Sequence, residues 1–175
     1  MPIEIPQLGA VSRDSEFDWY RSQPIPVKVL DDKACCIVVE AYDCDGAPED
    51  FHFAISSVLS LDKSALDDAA PHIFAYYQDV RRSVGADELN FPKISSADEV
   101  WAHIRFGNEP IFSRRHYGDR GINVSIECEC DWEPEHGLEI VFKNGRTVNK
   151  VGPYDGHLSN ADAYADPSLE DVIYR

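Results

Sequence analysis

Residues 127–137 read Glu127-Cys128-Glu129-Cys130-Asp131-Trp132-Glu133-Pro134-Glu135-His136-Gly137, the densest run of chemically able side chains in the chain. Cys128 and Cys130 share a face of an extended strand, and with His136 and His157 they offer the sulfur and imidazole donors of a tetrahedral zinc site. A Cys-x-Cys pair in a strand is more often two small buried residues, and no second cysteine pair stands at zinc-finger spacing. Glu133 or Glu135 beside His136 makes a carboxylate and a base, the combination a proton transfer needs. No nucleophile adjoins them, and the competing reading is a solvated acidic loop anchored by Trp132 and shaped by Pro134.

Two further stretches bear on the same question. Tyr154, Asp155 and His157 could complete a pocket with Glu135 and His136 if the strand ends converge; otherwise Asp155-Gly156 is a turn. Arg114, Arg115 and His116 form a basic patch in an acidic chain. Guanidinium forks match phosphate or carboxylate two bonds at a time, so this patch, with Tyr154, could hold an anionic ligand. Pairing of the arginines with the carboxylates of 127–135 is the internal alternative, and the excess of nearby carboxylates favours it. Asp43-Cys44-Asp45-Gly46 resembles the start of a calcium loop, but Ala54 stands where the twelfth-position Glu is required. Phosphate-binding, dinucleotide-binding and metalloprotease signatures are absent, and no cofactor is expected.

These residues need elements to position them. The first 23 residues show no sustained period and read as a wrapping loop. Val27–Leu30 and Cys35–Tyr42 read as a hairpin across Asp31-Asp32. Pro48, Glu49 and Asp50 suit a helix's first turn, and Phe51, Ile55, Val58 and Leu59 continue it as one apolar stripe. A second helical region spans 64–84, interrupted near Pro71, with Ile73, Tyr77, Val80 and Val84 inward. Ser96 and Glu99 stand at capping-box spacing before a third helix, to be ended by Gly107. Alternation from Ile122 to Cys130 predicts a half-buried strand. Asn144-Gly145 predicts a tight hairpin of 138–142 with 147–151, placing Glu139 across from Lys150, Val141 across from Val148 and Leu138 across from Val151. A short helical turn is expected near 166–170.

Strands, then helices, then strands argue for an α+β fold, a largely antiparallel sheet with helices packed on one face. The expected division is an N-terminal segment over 1–23 and a single domain over 24–175. With 175 residues, 43% of them hydrophobic, the chain can bury a core. Its 16 Lys and Arg against 32 Asp and Glu give a formal charge of −16, which repels phosphate backbones and anionic lipid. Neither nucleic acid nor membrane is an expected partner. Five cysteines, with Cys35 and Cys36 adjacent, fit a reducing compartment better than a disulfide framework. With no signal-peptide pattern, a cytoplasmic location is expected.

Pro48–His52, Phe106–Pro110, Ser113–Asp119, Cys130–Leu138, Val151–His157 and Asp171–Arg175 form a set of motifs that resembles an uncharacterised bacterial family, a domain of unknown function. The resemblance runs from about Pro24 to the end, with 132–137 and 154–157 its most specific parts. It implies a stand-alone cytoplasmic protein and supplies no activity. Two functions stay open. One is a non-enzymatic protein-binding module whose acidic surface docks a basic partner, as toxin-neutralising immunity proteins do. The other is a small-ligand binder or hydrolase-like enzyme using Glu135, His136, Asp155 and His157, with arginine contacts to an anion.

Overall fold

The computed structural model describes residues 3–85 and 89–175. Those residues form eleven strands: β1 (Ile3–Ile5), β2 (Gly9–Asp14), β3 (Trp19–Arg21), β4 (Ile25–Val27), β5 (Lys33–Cys35), β6 (Val38–Glu40), β7 (Ile104–Phe106), β8 (Ile111–Arg114), β9 (Ile122–Cys130), β10 (Leu138–Lys143) and β11 (Thr147–Gly152). Nine form one sheet in the order β1-β2-β3-β6-β8-β9-β10-β11, with β7 also on β9, and β4 and β5 form a separate ribbon. Among the described residues only β6 and β8 run parallel; the other pairs are antiparallel. The α-helices are α1 (Pro48–Ser60), α2 (Ala70–Val84) and α3 (Asn160–Tyr164). The fold is α+β with a mostly antiparallel sheet. Among the described residues no helix is long and apolar enough to cross a membrane.

The core follows from two periods meeting. Every second residue of β9 (Val124, Ile126, Cys128) and the facing residues of β10 (Leu138, Ile140, Phe142) are buried. Phe51, Ala54, Ile55 and Val58, one face of α1, and Ile73, Tyr76 and Tyr77 of α2 are buried in the same cluster. Each such large side chain contributes about 1.5–3 kcal/mol on leaving water. Helix α1 packs on β8 and β9, and α2 on β11. The C-terminal segment passes over the polar side instead: Asn123 and Asn149 both donate to the Leu158 carbonyl at 3.1 Å.

Pro48 opens α1 with Glu49 and Asp50 in its first turn, and Pro71 lies in the first turn of α2, preceded by a separate 3-10 turn at Lys63–Leu66. Val84, expected inward, is exposed at the last turn of α2.

Several expectations are corrected. Residues 3–21 form a three-strand meander rather than a wrapping loop, because Trp19–Arg21 pairs with Val38–Glu40 of the main sheet. The hairpin expected from Val27 to Tyr42 is shorter: Ile25–Val27 meets Lys33–Cys35, Lys28–Leu30 is a 3-10 turn, and Asp31 and Asp32 take positive φ of 58° and 55°. The third helix is a 3-10 stretch, Ala97–His103, in which Glu99 accepts from the amide of Ser95, and Ser96 caps nothing. The pairing of Ile104 with Cys130 extends the chain immediately afterwards and ends the helical stretch at His103. Gly107 then fits where a Cβ would stand 2.4 Å from the Glu127 carbonyl oxygen.

At the Asn144-Gly145 turn both residues take positive φ, 52° and 67°, and the Arg146 amide donates to the Lys143 carbonyl at 3.0 Å. The register differs from the expected one. Phe142 pairs with Val148, but Val141 pairs with Lys150, Ile140 with Val151 and Glu139 with Gly152. The bulge accommodates Asn149, whose side chain goes to Leu158. Glu139 and Lys150 thus become diagonal neighbours.

Candidate functional site

Alternation along β9 places Ser125, Glu127 and Glu129 on the face opposite the core. Glu139, though paired with Glu127 in the ladder, turns its carboxylate to other groups. Ser125 Oγ donates to Glu139 Oε1 at 2.6 Å, and Lys150 Nζ donates to Glu139 Oε2 at 2.6 Å. Lys150 also donates to Asp155 Oδ1 at 2.5 Å. Glu139 is 0% and Lys150 1% exposed, so both charges are held away from water. Burial pushes the Glu139 carboxyl above the usual range, and the Lys150 ammonium offsets that only in part. Asp155 lies at the rim. Burial pushes it up, but Lys150 and the His157 amide more than offset this and hold its carboxyl low.

Three clefts open over this face. One of about 540 Å³ is lined by Lys33, Arg105, Gly107, Glu109, Glu127 and Glu129 among others. A second, also about 540 Å³, shares Arg105, Glu127 and Glu129 and adds Glu133, Glu135, His136 and Tyr154. A smaller one of about 160 Å³ holds Glu40, Arg114, His116, Ser125 and Glu139, and Tyr154 walls it as well.

Most of the charges here are already engaged. Arg105 binds Glu129 at 3.0 Å and Asp131 at 2.7 Å, Arg21 binds Glu109 at 3.0 Å, and Lys33 donates to the Phe106 carbonyl at 2.5 Å. Glu133 accepts from the amides of Glu135 and His136 at 3.0 and 3.3 Å and contacts His136 Nδ1 at 2.7 Å. Among the described residues Glu40, Glu127 and Glu135 make no ion pair. Trp132 anchors the acidic loop, its ring edge-on to Tyr76 and Tyr77 at 6.1 and 5.9 Å.

The residues singled out in the sequence fall into separate groups. Glu135 and His136 line the second cleft, while Asp155 and His157 stand beyond Tyr154 with Lys150. The Tyr154 amide donates to the His136 carbonyl at 3.2 Å, so the two loops touch without gathering all four groups around one cavity. Arg114 forks onto Asp45 at 2.6 and 2.8 Å and reaches Asp50 at 2.9 Å. Arg115, 3% exposed, forks onto Asp162 and onto Glu170. The arginines therefore take internal partners other than residues 127–135, of which Glu129 and Asp131 go instead to Arg105. His116 is exposed at the small cleft.

Cys128 and Cys130 are buried, and their thiols donate to the carbonyls of Ile126 and Glu133 at 3.7 Å. Burial pushes both thiols up, Cys130 to about 11. Among the described residues, the three-residue set whose ligand atoms lie within 4.8 Å of one another is Asp18, Asp43 and Cys44, not Cys128, Cys130 and His136. Arg13 already bridges Asp18 and Asp43.

In the sequence Glu139 and Lys150 bear on the hairpin register and do not stand out as a site. Their signal is a Glu and a Lys inside a mostly apolar hairpin. Arg105 and Asp162 carry no local signal, and Asp45 and Asp50 carry one only for a turn and a helix start, not as partners of Arg114.

No curated protein and no solved structure matches the chain. A family described as a domain of unknown function, DUF6985, matches residues 7–158, beginning ahead of Pro24 and ending before α3. That span covers the whole carboxylate face from Glu40 to Asp155, and on it the chain belongs to the domain of unknown function family DUF6985.

Proposed function

We propose that the protein is a non-enzymatic binding module that receives a basic segment of a partner protein in the joined clefts over β9. What supports the reading is the charge inventory there. Glu127 and Glu135 lie open without ion partners, while Arg105 and Lys33 have their charged ends committed within the protein. A lysine or arginine entering the clefts would meet carboxylates ready to pair with it. The net charge of −16 would speed encounter with such a partner. Neutralising a basic toxin is one activity of this type. The enzyme reading draws less support, because Arg114 and Arg115 engage internal carboxylates and Glu135 and His136 stand apart from Asp155 and His157.

A labelled oligo-lysine peptide is the probe. It should bind at low salt, more weakly as salt rises, and severalfold more weakly to the Glu127→Gln/Glu135→Gln variant. The Asp67→Asn/Asp68→Asn variant removes two exposed carboxylates outside the clefts and should bind as the parent does. Equal losses from the two pairs would mean that net charge alone attracts the peptide, and the cleft reading would fall.

A further inference from the structure

Lys150 is held between two carboxylates in a way that surface ion pairs do not require. Its Nζ lies 2.5 Å from Asp155 Oδ1 and 2.6 Å from Glu139 Oε2, with the Lys side chain 2% and the Glu side chain 0% exposed. Ser125 Oγ fixes the other oxygen of Glu139 at 2.6 Å, so that carboxylate can turn neither away from Nζ nor toward water. Asp155 Oδ1 is fixed in turn by the His157 amide at 2.9 Å and lies 3.3 Å from His157 Nδ1. An amine, a carboxyl carbon beyond a polarised oxygen, and a dry second carboxylate touching the amine are the parts of an amide-forming centre.

We propose that Lys150 and Asp155 condense into an intramolecular isopeptide cross-link, with Glu139 moving the proton. Glu139 takes a proton from Nζ, and the freed lone pair attacks Cγ of Asp155. Charge then develops on Oδ1, where the His157 N–H already points, as oxyanion donors do in acyl transfer. The new bond is Nζ–Cγ and the bond broken is Cγ–Oδ2. That oxygen leaves as water, carrying the two protons that Nζ gives up, one of them relayed through Glu139. The ammonium and carboxylate become one neutral amide and one water, with no oxidant or activating group consumed. Amide formation from free acid and amine is unfavourable in dilute water, but groups held in contact reach effective molarities of about 10⁵–10⁸ M. The product also removes a buried ion pair whose desolvation is costly. It would tie the loop carrying Tyr154 to the end of β11 and so fix the wall between two clefts.

The test is the mass of the full chain under denaturing, reducing conditions. A linked protein weighs about 18 Da less than its sequence, one water. Trypsin then fails to cut after Lys150, leaving an uncut peptide from Thr147 to Arg175. Asp155→Asn should give the same product by losing ammonia, whereas Asp155→Ala and Lys150→Arg should keep their full mass. Glu139→Gln should keep its full mass too; a linked Glu139→Gln protein would remove Glu139 from the reaction. Full mass with cleavage after Lys150 in the parent protein would overturn the proposal. So would a water loss that leaves Lys150 cleavable and is reversed by alkaline hydroxylamine, since that is a succinimide at Asp155-Gly156.

Discussion

Arg115 and Asp162, 47 residues apart, meet through two parallel hydrogen bonds of 2.7 Å from Nε and Nη2. Glu170 takes the remaining face of the same guanidinium, and Lys143 approaches Glu170 at 3.5 Å. One side chain on the loop after β8 therefore holds α3 and the 3-10 turn Pro167–Leu169 against the sheet. Arg115→Met keeps much of the volume and leaves Asp162, 12% exposed, without its cation. The variant should lose about 3 kcal/mol of unfolding free energy. Denaturant unfolding measures the loss, and limited proteolysis should show first cuts between 158 and 170. A loss no larger than that of Arg105→Met, an exposed arginine of similar pairing, would show that burial adds nothing here.

Acid should undo the same contacts. Arg114 holds Asp45, and Arg115 holds Asp162 and Glu170, below the ordinary carboxylate range through direct hydrogen bonds. A carboxyl with a depressed folded pKa adds stability above its unfolded value, about 3.9 for Asp and 4.3 for Glu, and loses it as pH falls through the folded value. Glu139 has the opposite sign, because burial raises its pKa and its contribution fades as pH rises. These three depressed groups, joined by Asp155 and Asp131 among others, outweigh the raised Glu139 below about pH 4, where the urea midpoint should drop steeply. In Arg115→Met the drop should be shallower, since Asp162 and Glu170 lose the chief cause of their depression. An unchanged acid limb in that variant would contradict the assignment.

What the sequence made legible was local. Pro48, Glu49 and Asp50 with the stripe from Phe51 to Val58 are enough to write α1, and Asn144-Gly145 writes its own turn. The strands over residues 3–21 were hidden because each is three to six residues long, too short to show a period, and the pairing that joins them to the main sheet, Tyr20 with Val39, lies outside the segment. Ile104–Phe106 was hidden by a competing helical pattern that pairing with β9 overrides. At the site, Arg114, Arg115 and the 127–137 loop stand out by composition. Their partners do not, since Asp45 and Asp162 lie 69 and 47 residues away from the arginines they hold. The Asn149 bulge, which sets the Glu139–Lys150 diagonal, depends on the Leu158 carbonyl, and no two-residue turn rule contains it.

Gly145 is required twice over. Its φ is +67°, and a Cβ there would stand 2.4 Å from the Ala54 carbonyl oxygen of α1. Gly145→Ala should therefore cost about 2 kcal/mol or more, combining left-handed strain with separation of the hairpin from α1. Gly46→Ala is the comparison, an exposed glycine with nothing within 4 Å of its added Cβ. It should change stability by no more than about 0.5 kcal/mol. Similar losses for the two would mean that the turn tolerates an L side chain and that α1 yields to it.

The thiols should react in an order set by burial. Cys44 is exposed, Cys36 half-buried, and Cys35, Cys128 and Cys130 are buried. A hydrogen bond from the Cys44 thiol to Asp43 raises its pKa, so it should label more slowly than a free thiol at neutral pH and faster as pH rises. Burial raises Cys35, Cys128 and Cys130 and also blocks access, so these should label only when the protein opens. A disulfide-exchange reagent followed by peptide mass mapping distinguishes the five positions. Fast native labelling of Cys128 would show that β9 opens to solvent near Gly107. Protection of Cys128 and Cys130 by added zinc, persisting in denaturant and absent without the metal, would instead mean that the two sulfurs act as ligands.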